Sequence, residues 1–304
     1  MSTVSTQRRG FAPFAWLAEN LAIGATESPR RLSPGGALFA LVLLALGLRG
    51  LVFGDFAGVW QRVPAQLPGA ALLAYVCGSL EFVLALGLFV RRAAVLSAQG
   101  LSVLVMLWIL LLKVPVIVAA PTSEISWLGA AEISVILAGT WALIAAASEG
   151  FFAAPMGTAI TRLLFAFALL PIGLSHFVYA DATAGFVPQW LPWHHGFAYL
   201  TGAASLVAAT ALLLGVWPRL AATLEALMLG IITVLVWVSV VVGAPFASDS
   251  WSALLISSAI AAGAAAVADS YRSLPWFDSG FQAGKNLPEP LRRERVPSDR
   301  ARRP

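Results

Sequence analysis

Apolar runs of about twenty residues, separated by short polar segments, account for most of the chain. They cover residues 34–54, 69–90, 94–118, 126–147, 159–180, 196–217, 220–243 and 252–269. About twenty apolar residues in α-helical conformation span the hydrocarbon of a bilayer, so the pattern predicts eight membrane-spanning helices. The interruptions carry turn chemistry in Pro64 and Pro68, Pro121, Pro155, Pro188 and Pro192, Pro218 and Pro245. The expected fold class is all-α and polytopic.

Composition agrees. Of 304 residues 59% are hydrophobic and 11% charged, against about a quarter charged in a soluble domain. In water such a chain would expose large apolar patches. The formal net charge of +4 does not mark a nucleic-acid partner, because the basic residues sit at the chain ends and in alternate loops. Arg8, Arg9, Arg30 and Arg31 precede the first run. Arg91–Arg92, Arg162 and Arg219 follow at even-numbered boundaries, and Arg292, Arg293, Arg295, Arg300, Arg302 and Arg303 lie in the tail. With an even number of spans all of these fall on one side, which the positive-inside rule makes the cytoplasm. Both termini are therefore expected in the cytoplasm, with the chain in the cell inner (plasma) membrane. Gln7-Arg8-Arg9-Gly10-Phe11 faintly resembles a twin-arginine export signal. The stretch after it is broken by Pro13, Glu19 and Asn20, and an anchor in the cytoplasmic interface is the expectation.

The two halves align with each other. Gly47-Leu48-Arg49-Gly50-Leu51-Val52-Phe53-Gly54-Asp55 matches Gly173-Leu174-Ser175-His176-Phe177-Val178-Tyr179-Ala180-Asp181. Val63-Pro64 and Leu67-Pro68 match Val187-Pro188 and Leu191-Pro192, and Ala74-Tyr75-Val76-Cys77-Gly78 matches Ala198-Tyr199-Leu200-Thr201-Gly202. Four spans per copy bring both copies in from the same side, so the eight helices form two parallel-repeat four-helix bundles about an axis along the membrane normal. Residues 34–150 form the first copy and 151–270 the second. Residues 1–33 are an N-terminal interfacial segment and 271–304 a basic cytoplasmic tail. Ala74, Gly78, Glu81 and Ala85, with Ala198, Gly202, Ser205 and Ala209, make equivalent small-residue stripes that let helices approach closely.

An ionisable residue inside a span is a functional hypothesis by default. Arg49, Glu81, Lys113, Glu132 and His176 are expected in the outer half of the membrane and Glu225 in the inner half. Arg49 has the reach to bring its guanidinium towards Glu81. Glu81 is too deep and too short to reach the interface, and must be paired, protonated or hydrated. His176 is suited to proton exchange near neutral pH, although a structural hydrogen bond is the commoner use of such a residue. His194 and His195 are adjacent and point to different helix faces, so no metal site is expected. Cys77 is the sole cysteine and can form no internal disulfide. Phosphate-loop, dinucleotide, zinc-protease, haem-attachment and nucleophile-elbow motifs are absent.

From Arg162 to about Val241 the second half resembles the DoxX family of small four-helix membrane proteins. The resemblance lies in Arg162, Gly173-Leu174-Ser175-His176-Phe177, Val187-Pro188 with Leu191-Pro192, Ala198-Tyr199-Leu200-Thr201-Gly202, Leu212-Leu213-Leu214-Gly215 and Arg219-Leu220-Ala221-Ala222. It implies a membrane subunit of a redox system that meets a quinone or a small sulfur compound from the outer side, without a covalent cofactor and with a redox partner protein. Such families pair a histidine late in the first helix with a glutamate in the second. Here His176 belongs to the second copy and Glu81 to the first, with Gly50 and Ser205 as their counterparts, so either a composite site forms between copies or an ancestral one has decayed. On this reading Glu81 and His176 are the catalytic candidates, and Arg49, Lys113, Glu132, Asp181 and His195 the substrate-binding ones. A transporter or lipid-binding bundle, or a scaffold without catalysis, remains the alternative.

Overall fold

The computed structural model describes residues 32–58, 61–64, 66–148 and 156–277. The expectations for Arg8, Arg9, Arg30 and Arg31, for Pro155 and for the tail from residue 284 lie outside them. Among the described residues eight helices are long and apolar enough to cross a membrane, and the chain is an integral membrane protein. They are α1 (Pro34–Phe53), α2 (Ala70–Gly87), α3 (Ala94–Ala119), α4 (Glu124–Ala147), α5 (Met156–Val178), α7 (His194–Leu214), α8 (Pro218–Gly243) and α9 (Ser248–Ser270). A short helix that the apolar pattern did not resolve, α6 (Ala180–Phe186), follows α5.

Helix ends follow local chemistry. Ser33 caps α1 by accepting from the Gly36 amide at 3.2 Å, Pro34 occupies the first turn, and Gly54 closes the helix at φ 64°. The Gly35 amide donates to Asp269 Oδ2 at 2.7 Å, so a carboxylate from the last turn of α9 sits on the positive end of α1. The start of α1 and the end of α9 thus share one face of the molecule, the terminal face. The loops after α1, α3, α5 and α8 lie on the opposite, distal face.

The third helix of each copy contains a one-turn π stretch, Ile109–Lys113 in α3 and Thr233–Trp237 in α8. Pro115 accounts for the first, since its ring would collide with the carbonyl four residues back in a regular helix. Thr233 accounts for the second, bonding Leu229 O and Ser257 Oγ, each at 2.8 Å.

Within each copy consecutive spans pack against one another, but the first and fourth barely touch. Instead α4 packs on α5, α9 on α1, and α4 on α9. Exchanging one copy for the other leaves this pattern unchanged. Each half is closed by the fourth helix of its partner, and α4 and α9 form the common wall. Gly139 and Gly263 meet there: a Cβ on Gly139 would lie 2.8 Å from Gly263 Cα. Trp127 Nε1 donates to Pro121 O at 2.9 Å and Trp251 Nε1 to Pro245 O at 2.8 Å, so the tight turns before α4 and α9 are also the same. These pairs set the register of the later helices, in which Trp108 corresponds to Ile232 and Leu101 to Glu225.

Candidate functional site

The seven candidate residues do not converge on one place. Arg49 and Glu81 line a notch in the first copy, and His176 lines a cleft in the second. Lys113 and Glu132 lie together between α3 and α4, while Asp181 and His195 pair on the distal surface. No composite site joins Glu81 to His176.

The first-copy notch lies between α1, α2 and the loop after α1. Arg49, Asp55, Gln61, Cys77 and Glu81 are its polar lining, and at about 10 Å³ it has the room of one water. Gly54, in the left-handed conformation, turns the chain so that Asp55 folds back on α1. Arg49 does not reach for Glu81. Its Nη1 contacts Asp55 Oδ1 at 2.5 Å and donates to Asp55 O at 2.9 Å. Its Nη2 donates to Ser248 Oγ at the start of α9, and Ser248 Oγ donates to Asp55 Oδ2 at 2.7 Å. The Phe53 ring centroid lies 5.4 Å from the guanidinium carbon. This cluster spans the two copies and leaves Glu81, 5% exposed, without a hydrogen bond or ion pair among the described residues. Phe56 of the same loop meets Trp108 edge-on at 5.7 Å, and the Ala57 amide donates to Gln61 Oε1 at 3.0 Å.

The second-copy cleft is larger, about 310 Å³. Its walls come from α6, α7 and α8, and include Phe186, Leu227, Ile231 and Leu235. These side chains are also exposed on the outer surface of the bundle, so the cleft opens sideways towards lipid. His176 and Thr201 are its polar groups beside the hydroxyl of Thr183. Thr201 Oγ1 donates to Phe197 O at 2.9 Å or Ala198 O at 3.0 Å. It therefore accepts from His176 Nδ1, 2.8 Å away, and Ala198 O, 3.2 Å away, is a second acceptor for the same nitrogen. Both neighbours accept, so the Nδ1 position carries the proton and a neutral imidazole presents Nε2 as a bare acceptor.

The copies differ here because Trp108, buried in the first, has Ile232 as its counterpart on the cleft wall. Phe186 meets Trp237 with ring centroids 5.6 Å apart and planes tilted by 44°.

No protein-family model, curated protein or solved structure matches this chain.

The remaining candidates have local roles. Lys113 packs on the α4 backbone, where a Cβ on Gly129 would lie 3.3 Å from its Nζ, and Glu132 is its electrostatic neighbour, with Arg62 also near. His195 Nε2 lies 2.9 Å from Asp181 Oδ1, both well exposed, where water screens the pair. One buried contact escaped the sequence reading. Ser205 Oγ donates to Glu225 Oε1 at 2.8 Å, and both residues are almost completely buried. Ser205 is the counterpart of Glu81, so α8 delivers to the second copy a carboxyl at the position that α2 occupies with its own in the first. The i, i+7 stripe that includes Ser205 carried the signal, but nothing in it named the partner helix.

Proposed function

We propose that this chain is the membrane subunit of a redox system, and that its second copy admits a lipophilic ring compound bearing hydroxyl or carbonyl groups, a quinol or quinone, from the bilayer. One observation carries the reading. Among apolar walls open to lipid, a single imidazole lines the cleft, and its bond to Thr201 occupies Nδ1 and leaves its second nitrogen as an acceptor. Apolar pockets of this volume with one or two placed polar groups suit small lipophilic ligands. A neutral imidazole accepts from a ring hydroxyl, and its protonated form donates to a ring carbonyl, so one residue serves both states of such a ligand. The apolar walls suit a ring compound better than a small sulfur anion.

The redox assignment is supported by the DoxX-like segments around His176, and the electrons would pass to or from a partner protein. The arginine distribution supports placing the terminal face in the cytoplasm of a cell with this protein in its inner membrane, so the cleft lies nearer the outer leaflet. Lateral opening also suits a lipid-binding bundle that performs no electron transfer.

The test uses purified protein in lipid nanodiscs, titrated with a short-chain benzoquinol and followed by tryptophan fluorescence. His176→Leu should weaken quinol binding at least tenfold, and Thr201→Val should weaken it less. Equal binding of a fatty alcohol and the quinol would favour the lipid-binding bundle. Quinol affinity that ignores His176→Leu would sink the proposal.

A further inference from the structure

The first copy holds a carboxyl that the cleft chemistry does not use. Glu81 lies well inside α2 and borders a space large enough for one water. Among the described residues, the charged groups on the elements packed against it can be named. Helix α1 contributes Arg49, its only ionisable residue, and that charge is engaged by Asp55 and Ser248. The loop contributes Asp55, whose side chain is 48% exposed and so reaches the distal surface. Helix α3 carries one ionisable residue, Lys113, whose charged neighbours are Glu132 and Arg62. On α2 itself Cys77 stands one turn away and lines the same notch.

An isolated carboxylate in hydrocarbon is not sustained without a partner. The neighbouring cation is committed elsewhere, and the notch is too small for a metal ion with its several oxygen ligands. A proton is the ligand that fits both the charge and the volume. Arg49, Asp55 and Gln61 border the same water-sized space as the carboxyl, and Asp55 is half exposed at the distal face.

We propose that Glu81 is a proton-binding site within the membrane, filled from the distal face by water passing the Arg49–Asp55 pair. The second copy offers an internal control. Its buried carboxyl, Glu225, accepts from Ser205 and is 2% exposed, so its proton should exchange with bulk water far more slowly. This site stands or falls independently of the quinol cleft.

Infrared spectroscopy of the full-length protein in lipid nanodiscs tests it through the carboxylic-acid C=O band. Transfer to heavy water should shift one component of that band. Glu81→Gln should abolish that component, and Glu225→Gln should abolish a different one that shifts at least tenfold more slowly. Asp55→Asn should change the exchange rate of the fast component at least tenfold, a measurement that holds even where Glu81→Gln fails to fold. A wild-type protein with no carboxylic-acid band overturns the proposal. So does a band untouched by Glu81→Gln, an exchange rate indifferent to Asp55→Asn, or a signal that responds to sodium and not to proton concentration.

Discussion

Ser205 hands a hydrogen bond of 2.8 Å to Glu225 across the α7–α8 interface, at the place where the first copy has Glu81. Both halves thus hold a buried acid at this place, carried by α2 in one and by α8 in the other. The contact is testable through stability. Ser205→Ala leaves the buried carboxyl without its donor and should cost about 1–3 kcal/mol. Glu225→Gln retains an acceptor oxygen for the same hydroxyl and should cost less. Thermal unfolding in detergent, followed by circular dichroism, ranks the two variants; the reverse order would mean that Ser205 does not hold the side chain.

Arg49 is 4% exposed and depends on Asp55 for compensation. Removing only the anion, as in Asp55→Ala, strands a buried cation. The penalty for breaking such a pair is about 3–5 kcal/mol when both members are buried. The half-exposed Asp55 should bring this to roughly the lower end of that range. Arg49→Met removes the charge and keeps most of the volume, so it should be tolerated better than Asp55→Ala. Because Ser248 opens α9, either change should also loosen the contact between the copies, read as faster amide exchange at the start of α9.

The helices were legible because the bilayer demands long apolar runs and tolerates few charges within them. The expected span 94–118 and the observed Ala94–Ala119 differ by one residue. That the Gly78 face of α2 packs closely on a neighbour was legible too, although not that the neighbour is α1, where a Cβ on Gly78 would lie 3.1 Å from Gly47 O. What stayed hidden depends on which helix lies beside which. Asp55 and Asp181 align in sequence, yet one holds Arg49 and the other meets His195 in water, because Ser175 stands where the first copy has Arg49. Likewise, His176 and Glu81 read as two halves of one motif, but the repeat places them in separate copies with separate spaces. Where the cleft wall carries Ile232 the first copy has the buried Trp108, a difference of side-chain volume that hydropathy does not register.

The α4–α9 wall predicts a steric limit. A methyl group on Gly139 would press on Gly263 Cα at 2.8 Å and on the Phe39 ring at 2.9 Å, and the backbone of α9 cannot rotate away as a flexible side chain could. Gly139→Ala should therefore destabilise by about 1–3 kcal/mol, the usual cost of overpacking. Gly263→Ala meets its nearest atom, Val135 O, at 3.1 Å and should cost less. Unfolding midpoints of the two variants in the same detergent check the ranking, and equal midpoints would mean that the two helices separate readily.

Filling the cleft separates its role from that of the fold. Ile232→Trp gives the second copy the residue that the first carries as Trp108, at a wall position facing about 310 Å³ of open space. An indole introduced there has room, so the unfolding midpoint should hold or rise as apolar surface is buried. Binding of the short-chain quinol should fall at least tenfold, because the space is taken while His176 and Thr201 keep their hydrogen bond. Such a variant distinguishes a ligand site from a packing defect. A defect, once filled, changes stability alone, whereas a site loses its ligand. Stability and quinol affinity measured on the same nanodisc preparation give both answers, and unchanged affinity in a stable Ile232→Trp protein would move the binding site out of the cleft.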